Sequence, residues 1–440
     1  MKSLKEFALL TIIFPIADKV MGTCATTWYK KINKMNTWTP EQVEKWQWSE
    51  MQKFLQHAYD HTVYYKRIFD NLNLKPQDIK CLADLQQLPT INREIVLKHF
   101  DELVPDNLHT MKYRKGKTGG STGDPMPYYC NEDVWGYVTA NKIVSWKSVG
   151  YKYGEDFVAL GSSSLFPFGK KSPIHTIYNK MRSGTPLNGM NLTNEICAEY
   201  VEIIKKKKIR YLYGYAASVY LLSKYIKENN IDLKKQIKAC FTTSEMLTDE
   251  YRKLIGETYD CPVMDCYGAR DAGISAYEVK PGNFFVGYNV IAEVKNPFAE
   301  NTGTLLTTNF INYAFPLIRY EFGDEAHLTK DTSIYNGQLI KKVYGRTSDI
   351  IRLDNGNTLT GPGFTIFMRA FDIIAYEIKQ LSGLEVELKL QVDKEKYSKE
   401  QEDKIILTME KFAGKECKVN IVYVEKFEPL KNGKRRYFMS

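Results

Sequence analysis

Between Lys115 and Pro125 the chain reads Lys-Gly-Lys-Thr-Gly-Gly-Ser-Thr-Gly-Asp-Pro, a run in which four glycines alternate with cations and hydroxyls. Glycine lets a backbone approach a ligand closely and turn its N–H groups inward. Thr118, Ser121 and Thr122 add hydroxyl donors, and Lys115 or Lys117 could add positive charge, so the run suits a polyphosphate. It is not a Walker A loop, because no Gly-x-x-x-x-Gly-Lys-Ser/Thr spacing fits it. By itself the same run also describes an ordinary flexible surface loop.

At 440 residues the chain is too long for one compact core, and two or three domains are expected. Its formal charge of +9 is modest for that length. Such a surplus suits an anionic small molecule or an acidic membrane face and points to no nucleic-acid partner. The eight cysteines form no Cys-x-x-Cys pair, which fits a reduced, cytosolic chain. Cys240, Cys261 and Cys266 could meet a metal, but buried inert thiols are the expectation. Phe7 to Ala17 is apolar, yet it is interrupted by Thr11 and Pro15 and is far shorter than the ~20 residues of a spanning helix. Docking on the protein's own surface is expected there, with shallow attachment to the inner face of a membrane as the alternative.

The periodicity predicts mixed α/β organisation. Thr39, Pro40 and Gln42 start a helix that runs to about Tyr59. Residues 156–161 and 305–309 read as buried strands, and 199–208 and 218–228 as helices. Beyond Gly345 the character changes. Ile350 to Leu353 and Thr358 to Thr360 flank Asp354-Asn-Gly-Asn357, a hairpin signal. A strand at 384–392 follows, then a helix capped by Ser398 and Gln401, then a strand at 418–424. These elements predict a small α/β domain with its boundary close to Arg346.

Four further constellations bear on chemistry. Thr242 to Leu247 precedes a helix, and Asp265 to Gly273 reads as a loop after a strand, where ligand-bearing residues often lie. In it Tyr267 could lie against a base and Asp271 could hold magnesium, or Tyr267-Gly268 could be a plain turn. Asp324, directly after Gly323, could accept both hydroxyls of a ribose, and Arg346 could reach the same sugar or its phosphate. Both could equally serve surface ion pairs. Pro429 to Arg436 could be a solvated basic tail.

Taken in order, these segments resemble the adenylate-forming enzyme superfamily, and within it the phenylacetate–CoA ligase group that includes CapK-type capsular polysaccharide proteins. Thr118 to Pro125 resembles the family's phosphate loop, Ser244-Glu245 its adenine segment, and Tyr267 to Asp271 its Tyr-Gly-x-Thr-Glu. Arg319 to Asp324, Gly345 to Asp349 and Gly433-Lys434 resemble the remaining motifs. The narrower branch rests on residues 58–65, 88–93 and 211–218. Gly119 replaces a serine of the loop, Asp271 a glutamate, and Ser348 the hinge aspartate; Leu430-Lys431 loosens the lead into Lys434.

The resemblance implies an α/β fold: a large N-terminal adenylate-forming domain of layered sheets and helices (residues 1–345) with a small mobile C-terminal α/β domain (346–440) that acts as a lid. It implies ATP and Mg2+ as cofactors. ATP would be bound by Thr118, Gly119, Gly120, Ser121, Thr122, Gly123, Ser244, Glu245, Tyr267, Gly268, Asp324 and Arg346. Asp271 would hold the metal, and Lys434, Arg346 and Asp271 would be catalytic. Tyr213, Gly214, Tyr215, Tyr267 and Ala269 would line the acid pocket. The implied reaction activates a carboxylic acid, such as a sugar uronate, as an acyl-adenylate and passes the acyl group to CoA or an amine, in surface polysaccharide biosynthesis or modification. A nucleotidyltransferase that leaves AMP on its acceptor and a non-catalytic nucleotide-binding partner of glycan assembly machinery are the alternatives.

Overall fold

The computed structural model describes residues 6–7, 9–118, 126–161, 184–189, 192–330, 337–346, 350–355, 358–360, 368, 371–425, 427 and 438–439. Its largest element is a twelve-stranded sheet. Five strands, Gly184–Asn188, Phe157–Gly161, Tyr211–Tyr215, Ala239–Thr243 and Val263–Ala269, run parallel in that spatial order. Every residue of Phe157–Gly161 and Ala239–Thr243 is buried, as expected for strands covered on both faces. From Val263–Ala269 the sheet continues antiparallel through Ile274–Lys280, Asn283–Phe285, Gln338–Arg346, Tyr320–Lys330, Thr302–Asn309 and Val290–Ala299, with the twelfth strand, Ile91–Asn92, pairing parallel with Tyr320–Lys330.

The helices cover the parallel half on both sides. Asn194–Lys206, Ala216–Glu228 and Asp249–Tyr259 pack on one face with Leu212, Cys240 and Val263. On the other face Glu132–Ser148 packs over Tyr213, Phe241 and Met264, with the Trp146 ring stacked on Phe241 at 4.3 Å. Each strand therefore sends alternate residues to separate cores, the period-2 rule at work.

Local signals place most helix starts. Helix Pro40–His61 opens on the expected capping box: Thr39 N donates to Gln42 Oε1 at 2.9 Å, and Gln42 N to Thr39 Oγ1 at 3.3 Å. Two other helices start earlier than the sequence predicts. Asn194–Lys206 gains a turn because Thr193 Oγ1 accepts from Ile196 N. Ala216–Glu228 begins two residues early because its cap comes from a distance, the Glu245 carboxylate accepting from Ala217 N at 2.9 Å. Such a cap leaves no local sequence trace.

The N-terminal apolar segment is helical over Leu9–Ile13 and Phe14–Met21 and lies on the protein's own surface. Leu9, Leu10 and Phe14 are buried beside Trp146 and Tyr153, while Phe7, Ile12 and Ile16 face outward, each more than half exposed. No helix among the described residues is long and apolar enough to cross a membrane.

A small C-terminal domain has a core of its own, built from Ile351, Leu353, Ile378, Val386, Leu388, Leu390, Ile405 and Met409 among others. Its four-stranded sheet contains Ile373–Ser382, Glu385–Val392, Lys418–Tyr423 and Phe438–Met439, backed by helix Lys399–Ala413. The helix is capped as expected, Ser398 Oγ accepting from Gln401 N. The hairpin pairs Ile350–Arg352 with Thr358–Thr360. Ile373–Ser382 is a strand that the sequence reading did not identify; it hairpins directly onto Glu385–Val392.

Candidate active site

The site is built from the sheet edge upward. Strands Tyr113–Lys117 and Pro127–Asn131 form a hairpin whose residues 119–125 lie outside the described residues, and with them the expected phosphate-binding Gly119, Gly120, Ser121, Thr122 and Gly123. The base of that segment is closed by a reciprocal pair. Thr118 N donates to Met126 O, and Met126 N to Thr118 Oγ1, both at 2.9 Å. Gly116 is required beneath it, since a Cβ there would lie 2.4 Å from the Tyr128 ring. Lys115 lies exposed, 5.8 Å from the Tyr129 ring centroid.

Strand Val263–Ala269 turns through Arg270 to Gly273 into Ile274–Lys280. The sequence reading placed Asp265 to Gly273 in a loop. In the structure Tyr267, Gly268 and Ala269 are strand residues, because Ala276, Ser275 and Ile274 pair with them. The turn is held down from a strand further along the sheet. Asn309 Nδ2 donates to Gly273 O at 3.1 Å and Thr307 Oγ1 to Ala272 O at 3.3 Å. Gly273 has φ +64°, and a Cβ on it would sit 1.9 Å from Asn309 Nδ2, so no other residue fits.

Asp271 projects from this turn and its Oδ2 accepts from the Tyr320 hydroxyl at 2.9 Å. The same hydroxyl lies 3.7 Å from Met126 Sδ, so Asp271 stands beside the base of residues 119–125. The neighbouring Tyr128 phenol and Cys130 thiol are each pushed up to about 12, chiefly by burial, with the Asp271 charge adding and the Arg270 charge opposing. Both stay neutral beside Asp271.

Asp324 lies in Tyr320–Lys330 after Gly323, whose φ of +92° is open to glycine. Its Oδ2 accepts from the Tyr267 hydroxyl at 2.6 Å. Across the ladder its Cα partner is Arg346, the last residue of Gln338–Arg346. Tyr320 and Asp324 flank an irregularity in one strand, where the ladder shifts register around Gly323. Two hydrogen bonds, Tyr267 to Asp324 and Tyr320 to Asp271, tie this strand to the 263–273 segment. Arg319 serves elsewhere: with φ +54° it holds the buried Glu293 carboxylate through Nε at 3.1 Å to both oxygens.

Ser244, with φ +67°, and Glu245 follow Thr243, whose Cα partner is Cys266, the residue before Tyr267. The adenine-segment candidates thus adjoin the Tyr267 strand, with Glu245 engaged at the N-terminus of helix Ala216–Glu228. The acid-pocket candidates divide between faces. Tyr213 and Tyr215 share the face of Thr243 and Cys266, covered by helix Glu132–Ser148, whereas Tyr267 and Ala269 point to the opposite face. Gly214 between the tyrosines lets strand Phe157–Gly161 approach, as a Cβ would lie 2.4 Å from Leu160 O. Lys434 and Ser348 lie outside the described residues.

Sequence reasoning missed Tyr320 and a buried ionic network below Tyr267. Thr242 Oγ1 donates to Asp265 Oδ1 at 2.6 Å, Asp265 N to Glu278 Oε2 at 2.7 Å, and Arg252 Nη2 to Glu278 Oε1 at 2.5 Å. Burial pushes the Asp265 carboxyl up to about 6, with Glu278 adding and Thr242 and Arg252 opposing. The available signal was an acid set in an otherwise apolar strand, which requires a buried partner. Among the described residues no three His, Cys, Asp or Glu side chains cluster as a metal cage. Cys240 and Cys261 have Sγ atoms 3.9 Å apart.

No protein-family model matches the chain. It is 25% identical over 325 residues to Protein CapK of Staphylococcus aureus, covering 72% of this chain and 71% of that protein. It is 22% identical over 361 residues to a phenylacetate-coenzyme A ligase of Pseudomonas putida, covering 78% and 76%. Among solved structures, 2-hydroxyisobutyryl-CoA ligase in the postadenylation state, bound to R3-HIB-AMP, superposes with TM-score 0.65 at 15% identity over 92% of this chain and 91% of that one. An open conformation of the same ligase, with 2-HIB-AMP and CoA, gives TM-score 0.61. At such identity the structural likeness is one of fold.

Proposed function

We propose that the chain is a member of the adenylate-forming superfamily, in its phenylacetate–CoA ligase and CapK-like branch, and is an ATP-dependent AMP-forming ligase that activates a carboxylic acid and passes the acyl group to CoA. One observation carries the reading. Residues far apart in the chain meet at a single corner: Thr118 with Met126, Asp271, Asp324 with its tyrosine, and the end of the strand at Arg346.

A carboxylate acylates poorly because its leaving group would be oxide; attack of its oxygen on the α-phosphorus of ATP gives a mixed anhydride with AMP and releases pyrophosphate. The protein's part is to orient the partners and offset charge that grows on phosphorus. Residues 118–123 would cradle the phosphates with backbone N–H groups. Asp324 would accept from the ribose hydroxyls, its carboxylate preset by Tyr267, and Arg346 would steady the sugar. Ser244 and Glu245 would border the adenine.

Asp271 is the carboxylate that the reading assigns to magnesium at this corner. A single carboxylate already fixed by a tyrosine fits an ion that keeps most of its waters and binds mainly to phosphate oxygens. Bound there, magnesium would neutralise phosphate charge. Lys434, carried by a domain beginning near Arg346, would bridge the acid and the phosphate, and the same domain would then reorient for thioester formation.

The finer reading, carried over from the family resemblance alone, is a sugar uronate as the acid and a role in surface glycans, with an amine as the alternative acceptor. The outward Phe7, Ile12 and Ile16 support shallow contact with a membrane face, since the segment's two acids, Glu6 and Asp18, are turned inward onto Lys147 and Thr23. Carboxylate-dependent exchange of pyrophosphate into ATP, over aryl acids, aliphatic acids and uronates, tests the first half-reaction. Product mass with CoA or amines then names the acceptor. ATP binding without exchange for any acid would refute the assignment.

A further inference from the structure

Helix Glu132–Ser148 covers the face that carries Tyr213, Tyr215, Thr243 and Cys266. Two contacts fix it rigidly there. Asn141 Nδ2 donates to Ser275 O at 2.9 Å, and the Trp146 ring lies flat on Phe241. Lys142 stands one turn before Trp146 on the same side of the helix. Its Nζ is 5.3 Å from the Tyr213 ring centroid and 5.5 Å from that of Trp146, contacts that hold an ammonium against two electron-rich faces. The charge also reaches the Cys266 thiol, the neighbour of Tyr267, where it opposes the upward push of burial. A half-buried cation thus lies beside Tyr213, on the face that also carries Tyr215, two residues that the resemblance assigns to the acid pocket.

Depth decides what that cation can meet. The reacting carboxylate has to face phosphorus at the corner where Asp271 and the 118–126 base stand, beyond the C-terminal ends of the parallel strands. Tyr213 lies two residues inside Tyr215, roughly 7 Å deeper along its strand. The corner's own Tyr267 points to the opposite face, so Lys142 can meet only a part of the acid that passes the strand ends and runs down the face of Tyr215 and Tyr213, the far end and not the reacting group. We propose that Lys142 is a specificity-determining residue that selects acids whose distal end carries a second negative charge, such as a dicarboxylate or a phosphorylated uronate. This rests on the acid-activating reading above, but the charge preference can be measured without turnover.

Matched pairs isolate the distal charge: hexanoate with adipate, phenylacetate with 4-carboxyphenylacetate, and glucuronate with glucuronate 1-phosphate. Binding is read as the thermal shift each acid produces in the presence of AMP, and activation as pyrophosphate exchange. A hydrogen-bonded ion pair at a half-buried lysine predicts that the wild type prefers the dianionic member of at least one pair by about 10- to 100-fold. Lys142→Met should lose that preference, and Lys142→Arg should keep part of it; AMP binding alone confirms that each variant is folded. A wild-type preference for every neutral-ended partner, or an unchanged preference in Lys142→Met, overturns the proposal. Charge-selective binding that depends on Lys142 without any exchange would uphold it while refuting acid activation. Absence of binding by all dianionic members would overturn it.

Discussion

Removing one oxygen from Tyr267 probes the nucleotide corner at its most defined contact. Tyr267→Phe keeps the ring and deletes the hydroxyl that donates to Asp324 Oδ2 at 2.6 Å, the length of a charge-assisted bond. Both side chains are partly exposed, so the loss in fold stability should be about 1 kcal/mol, below the ~3 kcal/mol of a fully buried charged bond. The effect on ATP has a different origin. An Asp324 that has lost this contact has more freedom to be ordered when the ribose binds, at a cost of about 0.5–1.5 kcal/mol, which weakens ATP by roughly 2- to 12-fold. If Asp324 accepts from both ribose hydroxyls, part of that penalty disappears with 2′-deoxy-ATP, because one of the two bonds is already missing. Calorimetric affinities of wild type and variant for ATP and 2′-deoxy-ATP close a cycle whose coupling should be non-zero. Equal weakening of both nucleotides, or none of either, would refute the assignment of Asp324 to the ribose.

Three further outcomes are expected. Lys434→Ala should retain ATP affinity within a few-fold but abolish carboxylate-dependent pyrophosphate exchange; unchanged exchange removes the lysine from the mechanism. Asp265→Asn should flatten the pH dependence of unfolding. Because burial raises the folded-state carboxyl from its ordinary value of about 4 to about 6, the folded protein binds more protons across that window, so Asp265 lowers stability progressively as pH rises from about 4 to 6. The total is on the order of 3 kcal/mol, and the asparagine variant should show a smaller fall in denaturant midpoint over that range, with an identical fall counting against the buried-acid account. Replacing Phe7, Ile12 and Ile16 together by serine should reduce co-sedimentation with anionic phospholipid vesicles; no sedimentation by the wild type would remove membrane contact from the reading.

The elements that the sequence located were those whose signals are local. Thr39 and Gln42 cap their helix from three residues apart, and Ser398 and Gln401 repeat the device in the small domain. Asp354 to Asn357 marked the hairpin between two paired strands. The misreadings share a cause as well. Tyr267 to Ala269 read as part of a loop because Tyr-Gly-Ala carries turn residues, and pairing with Ala276, Ser275 and Ile274 is what makes that stretch extended. The early start of helix Ala216–Glu228 depends on a carboxylate 28 residues away.

What the chain determined by itself was its chemical inventory: a glycine and hydroxyl run, carboxylates at 271 and 324, an arginine at 346, and alternating or helical apolar periods that commit each stretch to strand or helix. Those are properties of residues within a few positions of one another. Which of them meet was decided by the curl of the antiparallel half-sheet, which returns Tyr320 and Asp324 to Asp271 and Tyr267 across 49 and 57 residues, and by strand alternation, which sends Tyr213 and Tyr267 to opposite faces. Contacts at that separation follow from burial of the whole core, whose pairings no local pattern encodes.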